Sequence, residues 1–292
     1  MELRQLAYFC MISKLNSFTR AAEQMHVAQP SVTTAIQKLE NELGLKLFDR
    51  SQKKVTLTAE GEIFHRRALS ILHEVQETLV EMHDLANISK GAIRIGVPPM
   101  IGAYIFPDIF THFKKTYPGI NLFMFEEGSL SALKKLETAE LDLGLIILPS
   151  VTDTLHSMPV AAQEIVLCVA ATHPLAAKSA VDFSQLRNED FILLKEDSYH
   201  RQVIMDRCRQ HRFEPRVVFS SSQIQTIQSL AAKGVGITFL MRMVAADNPR
   251  IVPVSLDPPL TVNIALAWKK EKYLSKASKA LIDFIRTHTG LS

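Results

Sequence analysis

The sequence predicts an α/β protein in which a short, purely helical N-terminal segment precedes a larger region of alternating strands and helices. The first observation is length, since 292 residues exceed one ordinary domain and correspond to about two or three. The second is periodicity: apolar residues recur at helical spacing as far as Ile88, whereas from Ala92 short apolar runs alternate with amphipathic segments. The third is composition, because 47% apolar and 22% charged residues are typical of a globular chain.

Two features of the composition predict the cellular compartment. Charged residues interrupt the N-terminal segment, and no stretch reaches the roughly 18 to 20 uncharged apolar residues of a membrane helix. The three cysteines, Cys10, Cys168 and Cys208, are odd in number and widely separated, which argues against a disulfide framework. We therefore expect a cytoplasmic protein without a membrane partner.

Charge is distributed unevenly along the chain. Residues 1–58 carry eight Lys or Arg against five Asp or Glu, a net charge of +3, whereas residues 59–91 carry three against six, a net charge of −3. The formal net charge of the whole chain is only +3, which is too small to indicate nucleic acid by itself. We therefore expect contacts with phosphates in the locally basic first fifth of the chain.

Three helices are predicted in this basic segment. Apolar residues repeat at helical spacing from Leu3, and Ser17 is a good N-cap for a short second helix that ends near His26. After a tight turn, Pro30 suits the first position of a third helix, and Gly44 suits its C-cap. Helices and a turn in this order predict a helix-turn-helix.

The third helix has two different faces. Its inward residues are apolar: Val32, Ile36, Leu39 and Leu43. Its outward residues are small and polar: Ser31, Thr33, Thr34, Gln37 and Lys38. Such a face can enter the major groove of DNA, where hydroxyl and amide groups hydrogen-bond to base edges and cations hold phosphates. A helix face that is merely solvated is the alternative interpretation.

A small hairpin is predicted at residues 51–57, with Val55 and Leu57 facing inward and Lys53 and Lys54 at its tip. The basic tip of such a hairpin, or wing, can reach phosphates beside the groove, although a surface lysine pair can also be simply solvated. Residues 1–58 are therefore predicted to form an all-α winged helix-turn-helix domain.

A long linker helix is predicted next, at residues 59–90. Thr58 is its expected N-cap, and Glu60 and Glu62 lie at the positive end of its dipole. Its stripe recurs at spacings of four and three, and only Thr78 is polar in the series Phe64, Ala68, Ile71, Val75, Thr78, Met82 and Leu85. This seven-residue period favours a partner helix, so we expect dimerisation through residues 58–88; packing against the same chain is the alternative.

Residues 91–292 carry the pattern of an α/β fold with mostly parallel strands in two similar halves. In the first half the predicted strands are residues 92–97, 120–126 and 143–148, and the predicted helices are residues 105–115 and 131–139. In the second half the predicted strands are residues 164–171, 191–194, 216–219 and 236–240. A strand at 260–268 and a helix at 275–287 follow.

Small-molecule sites in open α/β folds lie at the carboxyl ends of strands, where helix N-termini offer free N–H groups to anions. Turns at residues 98–102, 128–129, 197–201 and 221–223 meet this description. The candidate effector contacts are Pro98, Met100, Gly102, Ser129, Leu148, Tyr199, His200, Arg201, Ser221, Ser222 and Gln223. Simpler roles remain open: Ser129 and Ser222 can be helix caps, and Arg201 can form an ordinary surface salt bridge.

The sequence contains no constellation typical of catalysis, nucleotide binding or metal binding. Gly234 and Gly236 lack the third glycine of a dinucleotide fingerprint, and no GxxxxGK[ST] phosphate loop occurs. Cys208 and His211 have a spacing compatible with two metal ligands, but no second pair accompanies them. We therefore expect an ordinary helical cysteine and a surface histidine, no enzyme activity, and no resident cofactor or metal.

Residues 1–90 resemble the LysR-type transcriptional regulator family. The motifs SFTRAAE, AQPSVT, IQKLE, LGLKLFDR and LTAEG occur in the family's order and spacing. The resemblance implies a recognition helix at residues 30–43, base or groove contacts at Gln29, Ser31, Thr33, Thr34 and Gln37, and phosphate contacts at Arg50, Lys53 and Thr58. Pro30 is then a helix-start residue. Relatives often carry a basic or amide residue in place of Thr34. We therefore expect Gln29 and Gln37 to contribute more to DNA contacts than Thr34.

The C-terminal part resembles the family's effector domain, which is similar to periplasmic binding proteins, and its clearest motif is SLAAKGVG at residues 229–236. The resemblance implies two α/β subdomains, one of about residues 91–160 and 268–292 and one of about residues 161–267, with the effector between them. Relatives often carry Ser or Thr at Met100, where the hydroxyl meets a carboxylate. With Met100, either backbone N–H groups and Ser222 hold an anion, or the effector is less acidic.

Together these observations predict a bacterial, sequence-specific transcriptional regulator controlled by a small-molecule effector, which we expect to be anionic. A dimer would place two recognition helices in successive major grooves of promoter DNA. The resemblance implies a tetramer that bends DNA and alters recruitment of RNA polymerase. The alternatives are a small-molecule-binding protein without a DNA role and an enzyme. The polar face of the third helix argues against the first, and the lack of a catalytic cluster argues against the second.

Overall fold

The structure is a computed structural model that describes residues 1–49, 55–86, 91–147 and 153–288. The chain divides into two compact units, Met1–Leu85 and Ala86–Ser292. Each unit encloses its own hydrophobic core. The limits of the predicted DNA-binding, linker and effector segments and of the two subdomains stay predictions.

Three helices and a short hairpin form the N-terminal unit. Helix α1 spans Leu3–Leu15, α2 spans Phe18–Gln24 and α3 spans Gln29–Leu43, and strand β1 (Phe48–Asp49) pairs antiparallel with β2 (Thr56–Leu57). The predicted N-cap Ser17 accepts a hydrogen bond from the Arg20 backbone N–H at 3.3 Å. The predicted C-cap Gly44 has a φ of 67°, which glycine adopts without a steric penalty. The predicted helix-turn-helix is confirmed.

Two element boundaries differ from the sequence prediction. Helix α3 begins at Gln29, so Pro30 is its second residue, which is tolerated because first-turn N–H groups have no acceptor within the helix. The hairpin begins at Phe48 rather than at residue 51, because Phe48 and Asp49 pair with Leu57 and Thr56. The Phe48 ring is buried against that of Phe9, with ring centroids 5.0 Å apart. Residues 50–54, which include the predicted basic tip, lie outside the described residues.

Helix α4 spans Ala59–Ala86 and starts at its predicted cap. The Thr58 hydroxyl accepts the Gly61 backbone N–H at 2.9 Å and donates to the Lys46 carbonyl at 2.7 Å. The first half packs on the core of its own unit through Phe64, Ala68, Ile71 and Leu72, so the same-chain alternative holds there. In the second half, Leu79 and Met82 are exposed. Neither α4 nor any other described helix has the length and apolar composition needed to cross a membrane.

The second unit alternates strands and helices, as predicted. Its strands are β3 (Gly91–Val97), β4 (Ile120–Glu126), β5 (Leu143–Ile147), β6 (Leu155–Ala170), β7 (Ala180–Asp182), β8 (Asp190–Leu193), β9 (Arg216–Ser220), β10 (Thr238–Met241), β11 (Ile251–Asp257) and β12 (Leu260–Lys269). Its helices are α5 (Pro99–Tyr104), α6 (Phe106–Thr116), α7 (Ser129–Glu137), α8 (Tyr199–Gln210), α9 (Ile224–Ala232), α10 (Arg242–Ala246) and α11 (Lys276–His288). Every strand and helix range predicted here overlaps one of these elements, whereas no range was predicted for β7, β11, α5, α8, α9 or α10.

One sheet runs through this unit in the strand order β4-β3-β5-β12-β6-β11-β7, with β10 also paired to β6. Parallel pairing joins β3 to β4 and β5, and β7 to β11. The prediction of mostly parallel strands is nevertheless wrong for this sheet, because β12 is antiparallel to β5 and β6, and β6 is antiparallel to β10 and β11. Apolar periodicity reports that a strand is buried, but strand direction depends on the pairing partner.

The first half of β6, which contains Pro159, was not predicted, since the predicted strand began at residue 164. Proline cannot donate to a strand ladder and normally argues against a central strand. Here Ala265 pairs with Pro159 and Ile264 pairs with Ala161, which leaves Val160 as the extra residue of a β-bulge. The bulge accommodates the proline, so β6 continues back to Leu155.

Two further packing relationships complete the unit. Strands β8 and β9 form a separate parallel pair. Helix α11 packs on β3 and α6, where the Phe284 ring meets the Phe113 ring edge-on at a centroid distance of 5.4 Å. The last described helix therefore contacts the elements that begin this unit.

Candidate nucleic-acid interface and effector cavity

The outward face of α3 is exposed within the N-terminal unit. Thr33 is half-buried, and the exposed members of the predicted DNA-contacting set on this helix are Gln29, Pro30, Ser31, Thr34, Gln37 and Lys38. On the opposite side, Val32, Ile36 and Leu39 are buried in the core of the unit. Hydroxyl, amide and ammonium groups therefore lie on one side of a helix whose other side is held by the core, an arrangement that can reach base edges and phosphates.

Two side chains of this face contact each other. The Gln29 Nε2 donates a hydrogen bond to the Thr33 Oγ1 at 2.9 Å, one helical turn away. The contact orients the Gln29 amide, and within the described residues its carbonyl oxygen and its second N–H have no partner. A glutamine amide that presents one acceptor and one donor complements the major-groove edge of adenine.

The predicted phosphate contacts fall into two groups. Thr58 is half-buried, and its hydroxyl already caps α4 and contacts the Lys46 carbonyl. Arg50, Lys53 and Lys54 lie outside the described residues. The assignment of these four residues to phosphate contacts stays a prediction.

A concavity beside α3 adds residues that the sequence analysis missed. It has a volume of about 420 Å³ and lies where the first turns of α1 meet α3. It is lined by the predicted residues Pro30, Ser31, Thr34 and Lys38 together with Glu2, Arg4, Gln5, Tyr8 and Ala35. The Gln5 Nε2 donates to the Ala35 carbonyl at 3.3 Å and thereby ties the two helices together. Since only the folded unit brings α1 against α3, no spacing in the sequence could place Arg4 beside the recognition helix.

A smaller cavity of about 130 Å³ lies just beyond the carboxyl ends of β4 and β8 in the second unit. Its lining is Pro99, Glu126, Glu127, Gly128, Leu194, Lys195, Asp197, Ser198 and Ser222. Of the predicted effector contacts, Ser222 is in this lining. Pro99, Gly128 and Asp197 belong to the turns that were expected to surround the site, whereas the two glutamates were missed.

The turns on opposite sides of this cavity touch directly. The Asp197 Oδ2 accepts the Gly128 backbone N–H at 2.9 Å, and the Asp197 carbonyl accepts the Leu130 N–H at 3.0 Å. A Cβ atom at position 128 would lie 2.3 Å from the Asp197 carbonyl oxygen, so this approach requires glycine. The cavity is therefore closed on one side by a backbone contact between residues 69 positions apart.

The charge of the cavity disfavours an anion at this place, while the anionic effector expected from the sequence stays a prediction. Glu126, Glu127 and Asp197 contribute three carboxylates to the lining, against the single ammonium of Lys195. Lys135 pairs with Glu127 and neutralises one of these charges. A concave surface with an excess of one charge repels ligands of the same sign. The lining therefore fits the less acidic effector that was the alternative interpretation of Met100.

The two serines that were considered as helix caps have other positions. Ser129 is buried, and its Oγ accepts the Ile147 backbone N–H at 3.1 Å, while the preceding residue is the N-cap of α7. Ser222 lines the cavity, while Gln223 is the N-cap of α9 and its backbone N–H is accepted by the Ser221 Oγ at 3.0 Å. The capping alternative is therefore wrong for Ser129 and Ser222.

The Arg201 guanidinium is engaged within its own neighbourhood. Its Nη1 donates to the Leu194 carbonyl at 3.0 Å and to the Ser220 Oγ at 2.8 Å, and its Nη2 lies 3.7 Å from the Glu196 carboxylate. The exposed carboxylate makes this ion pair weak. The guanidinium thus connects the ends of β8 and β9. These contacts support the alternative in which Arg201 forms a surface salt bridge.

Most of the remaining predicted effector contacts stand apart from the cavity lining. Pro98 and Met100 are buried, Gly102 is half-buried on α5, and Tyr199 is half-buried at the start of α8. Burial raises the pKa of the Tyr199 hydroxyl, and the negative charge of Asp206 adds to that effect. Leu148 lies outside the described residues. A role for these residues in effector binding stays a prediction.

His200 is enclosed at the start of α8. It is 2% exposed, and neither of its ring nitrogens has a hydrogen-bond partner among the described residues. Burial of the charged form lowers the His200 pKa to about 4. The ring is therefore neutral at physiological pH and cannot supply the positive charge that an anionic effector would need.

The three cysteines are poorly suited to metal binding or redox chemistry. All three are free, and burial raises the pKa of Cys10 to about 11 and the pKa values of Cys168 and Cys208 to about 12. A protonated thiol is a weak nucleophile and a weak ligand. His211 lies with its Nδ1 3.8 Å from the Asp182 carboxylate, and the described part of the chain holds no group of three or more potential metal ligands.

Two family profiles match the chain and together cover nearly all of it. Residues 3–62 match the profile described as bacterial regulatory helix-turn-helix protein of the lysR family, and residues 86–290 match the LysR substrate binding domain. The first match contains α1, α2 and α3, and the second contains the small cavity. The division between the two matches coincides with the division into two compact units.

Similar proteins support the same assignment. The helix-turn-helix-type transcriptional regulator YwbI of Bacillus subtilis (strain 168) is 31% identical over 292 residues, which cover 99% of this chain and 97% of YwbI. The full-length OxyR structure from Pseudomonas aeruginosa is 28% identical, with a TM-score of 0.67 and coverage of 98% of this chain and 95% of OxyR. The fold is also that of CbnR, with a TM-score of 0.71 at 20% identity over 98% of this chain and 99% of CbnR. The chain therefore belongs to the LysR family and is a DNA-binding transcriptional regulator with a C-terminal effector-binding domain.

Proposed function

We propose that this regulator binds promoter DNA as a homo-oligomer through α3, and that its binding to DNA changes when a small molecule enters the cavity beside Gly128. The observation that carries the proposal is the polar outward face of α3, which is held in place by a buried apolar face. A helix in the major groove can distinguish all four base pairs. Two copies would contact half-sites about 10 base pairs apart, so we expect a near-palindromic target.

The second half of α4 supports a dimer. Leu79 is 51% exposed and Met82 is 49% exposed, although the predicted apolar stripe runs through this part of the helix. Pairing with α4 of a second copy would cover these side chains and hold two recognition helices at a fixed distance. The first half of α4 is already packed on its own unit and can transmit this spacing to α3.

A second apolar surface supports a tetramer. Strand β4 lies at the edge of the large sheet, and Phe123, Met124 and Phe125 on it are between 41% and 53% exposed. An unpaired edge with large apolar side chains favours association. Two different self-contacts, one through α4 and one through β4, combine into a closed tetramer of two dimers.

The charge of the cavity indicates the effector class. Glu126, Glu127 and Asp197 favour an effector that carries an amine or several hydrogen-bond donors. An effector changes the balance between two states of a regulator only if it binds them with different affinities. Binding must therefore favour either the open or the closed form of the cavity. We propose that this closure changes the spacing of the DNA-binding units and the recruitment of RNA polymerase, with no resident cofactor and no catalytic turnover.

Relatives named hydrogen peroxide-inducible genes activators suggest thiol oxidation as another signal. The protein of this name from Haemophilus influenzae (strain ATCC 51907 / DSM 11121 / KW20 / Rd) is 28% identical, over 85% of this chain and 82% of its own length. Oxidation by peroxide requires an accessible thiolate. Cys168 and Cys208 are buried, Cys10 is half-buried, and the raised pKa values of all three thiols disfavour that route here. We therefore propose effector binding as the signal, and we place the regulator in the cytoplasm with the chromosomal DNA.

Selection from a random duplex library with the full chain tests the DNA-binding part. We expect one enriched sequence with two half-sites, a sedimenting species of at least two chains, and affinity that falls steeply with salt. The double variant Leu79→Lys and Met82→Lys should lose the contact through α4 and therefore sediment as a smaller species than the wild-type chain. A monomer that enriches no sequence would refute the proposal.

A thermal-shift screen tests the effector class. Diamines and polyamines are compared with dicarboxylates of matched length, because a ligand that binds the folded state raises its melting temperature. We expect the amines to raise the melting temperature and Glu126→Gln to weaken that effect. Glu137→Gln, on the exposed side of α7, is the matched control. Stabilisation by the dicarboxylates alone would contradict the assignment.

A further inference from the structure

The concavity between α1 and α3 contains two cations that have no partner within the described parts of the chain. Arg4 and Lys38 line it, and both are exposed. Among the described residues, neither side chain forms a salt bridge or hydrogen bond. Two other cations of this unit are engaged, since Arg20 donates to the Leu15 carbonyl and Lys46 pairs with Glu40 at 3.3 Å, whereas Lys14 is an exposed cation without such a contact among the described residues. With the Glu2 carboxylate also in the lining, the two cations leave an excess of one positive charge, which favours an anion.

The position of Arg4 is unfavourable for α1 itself. Arg4 is the second residue of a helix that begins at Leu3, and the free N–H groups of a first turn already carry partial positive charge. Helix α4 follows the usual rule, with Glu60 and Glu62 in its first turn. The Glu2 carboxylate also lines the concavity, but it forms no ion pair with Arg4 among the described residues. Glu2 is the N-cap of α1 and supplies the negative charge there, so the helix itself gives no reason for a cation at Arg4, whereas the concavity does.

The rest of the lining suits a phosphate group. The short side chains of Ser31 and Thr34 leave the concavity open, and their hydroxyls can donate hydrogen bonds. The contact of Gln5 with the Ala35 carbonyl fixes α1 against α3, so the site exists before any ligand arrives. Ser31 and Thr34 also belong to the outward face of α3. An anion held here therefore lies directly beside the surface that faces the groove.

We infer that this concavity binds a phosphate diester of the DNA backbone, with Arg4 and Lys38 as the charged contacts and Ser31 and Thr34 as donors. The inference rests on the proposed entry of α3 into the major groove, and it adds a contact from α1. Phosphate contacts fix the register of a recognition helix and carry no sequence information. Arg4 is accordingly a positioning residue, whose contribution is equal for all sequences and depends on salt.

The test measures DNA binding by the full chain and its variants Arg4→Gln, Arg4→Lys and Lys38→Gln. Lys14→Gln is the matched control, because Lys14 is an exposed cation in the last turn of the same helix and lies outside the concavity. The probes are the duplex selected by the wild-type chain and a scrambled duplex of equal length. Fluorescence anisotropy gives Kd at KCl concentrations from about 50 to about 200 mM, and circular dichroism verifies folding.

We expect Arg4→Gln to weaken binding to both duplexes by one common factor, about tenfold at the lowest salt, and to lower the slope of log Kd against log [KCl] by about 0.9. Lys38→Gln should act in the same direction, Arg4→Lys should restore the slope, and Lys14→Gln should change neither value. Equal slopes and affinities for Arg4→Gln and Lys14→Gln overturn the inference. A wild-type chain that binds no duplex refutes the proposed function and the inference together.

Discussion

The Glu40 carboxylate of α3 accepts the backbone N–H of Leu47 at 2.9 Å, and the same oxygen accepts the N–H of Phe48 at 3.3 Å. Glu40 is only 2% exposed, and the Lys46 ammonium lies 3.3 Å from its other oxygen. A buried carboxylate is tolerated when charged or polar donors replace its water. This contact fixes the chain between the recognition helix and β1, and therefore the start of the wing.

Removal of the Glu40 carboxylate is expected to destabilise the N-terminal unit. Glu40→Ala leaves two buried N–H groups without an acceptor, which should lower the free energy of unfolding by about 2 kcal/mol or more. Hydrogen exchange of residues 1–85 under increasing urea reports this change. Glu23→Ala, on the exposed side of α2, is the control, and equal urea midpoints for the two variants would contradict the prediction.

Gln29 is expected to determine one base pair of the target. Its amide is oriented by Thr33, so Gln29→Ala should weaken binding to the selected duplex by about tenfold, relax the preference at one position and leave the salt slope unchanged. Thr33→Val should have a smaller effect in the same direction. Repeating the selection with each variant measures this, with Gln24→Ala at the end of α2 as the control. An unaltered preference at every position would exclude this role.

His200 is expected to make the second unit sensitive to acid. Its folded pKa of about 4 lies below the unfolded value of 6.5, so the unfolded chain binds more protons between these values. The contribution to stability is complete above about pH 6.5 and is lost as the pH falls towards 4. Between pH 7 and pH 5 the free energy of unfolding should fall by about 2 kcal/mol on account of this ring.

Urea unfolding of the wild-type chain and of His200→Phe at several pH values tests this prediction. The variant keeps an aromatic ring at the site and lacks the titrating group, so its stability should change less over the same range. His112→Phe is the control, since His112 is exposed on α6. Identical pH profiles for the wild-type and the His200 variant would rule the prediction out.

The thiols are expected to resist reagents in the folded chain. Burial raises the pKa of Cys208 to about 12, so almost no thiolate is present at neutral pH. A thiol-specific chromophoric disulfide should react slowly with the native protein and with three thiols after denaturation. Hydrogen peroxide should accordingly leave DNA binding unchanged. Rapid reaction of a native cysteine, coupled to loss of DNA binding, would restore oxidation as the signal.

Local features were predicted well from the sequence. Ser17, Gly44 and Thr58 were assigned as caps from residue type and position, and each has that role in the structure. The reason is that a cap depends on neighbours within a few residues. The inward residues Val32 and Ile36 followed from helical periodicity in the same way. Family membership rested on motifs of this local kind.

Features that depend on distant residues were predicted less well. Strand pairing decides the direction of β12 and the continuation of β6 through Pro159. Core packing decides that the first half of α4 lies on its own unit. The charge of the cavity beside Gly128 was also missed, because Glu126 and Asp197 are 71 positions apart in the sequence. Spacing cannot show that two turns meet when a long stretch of chain separates them.

The sequence by itself determined the helix-turn-helix, the outward residues of α3 and the alternation of strands and helices, because periodicity and capping act over a few residues. Only the tertiary structure decided which side chains share a surface. It brought Arg4 beside α3 and placed Gly128 against Asp197, since packing of a common core, rather than proximity along the chain, sets those distances.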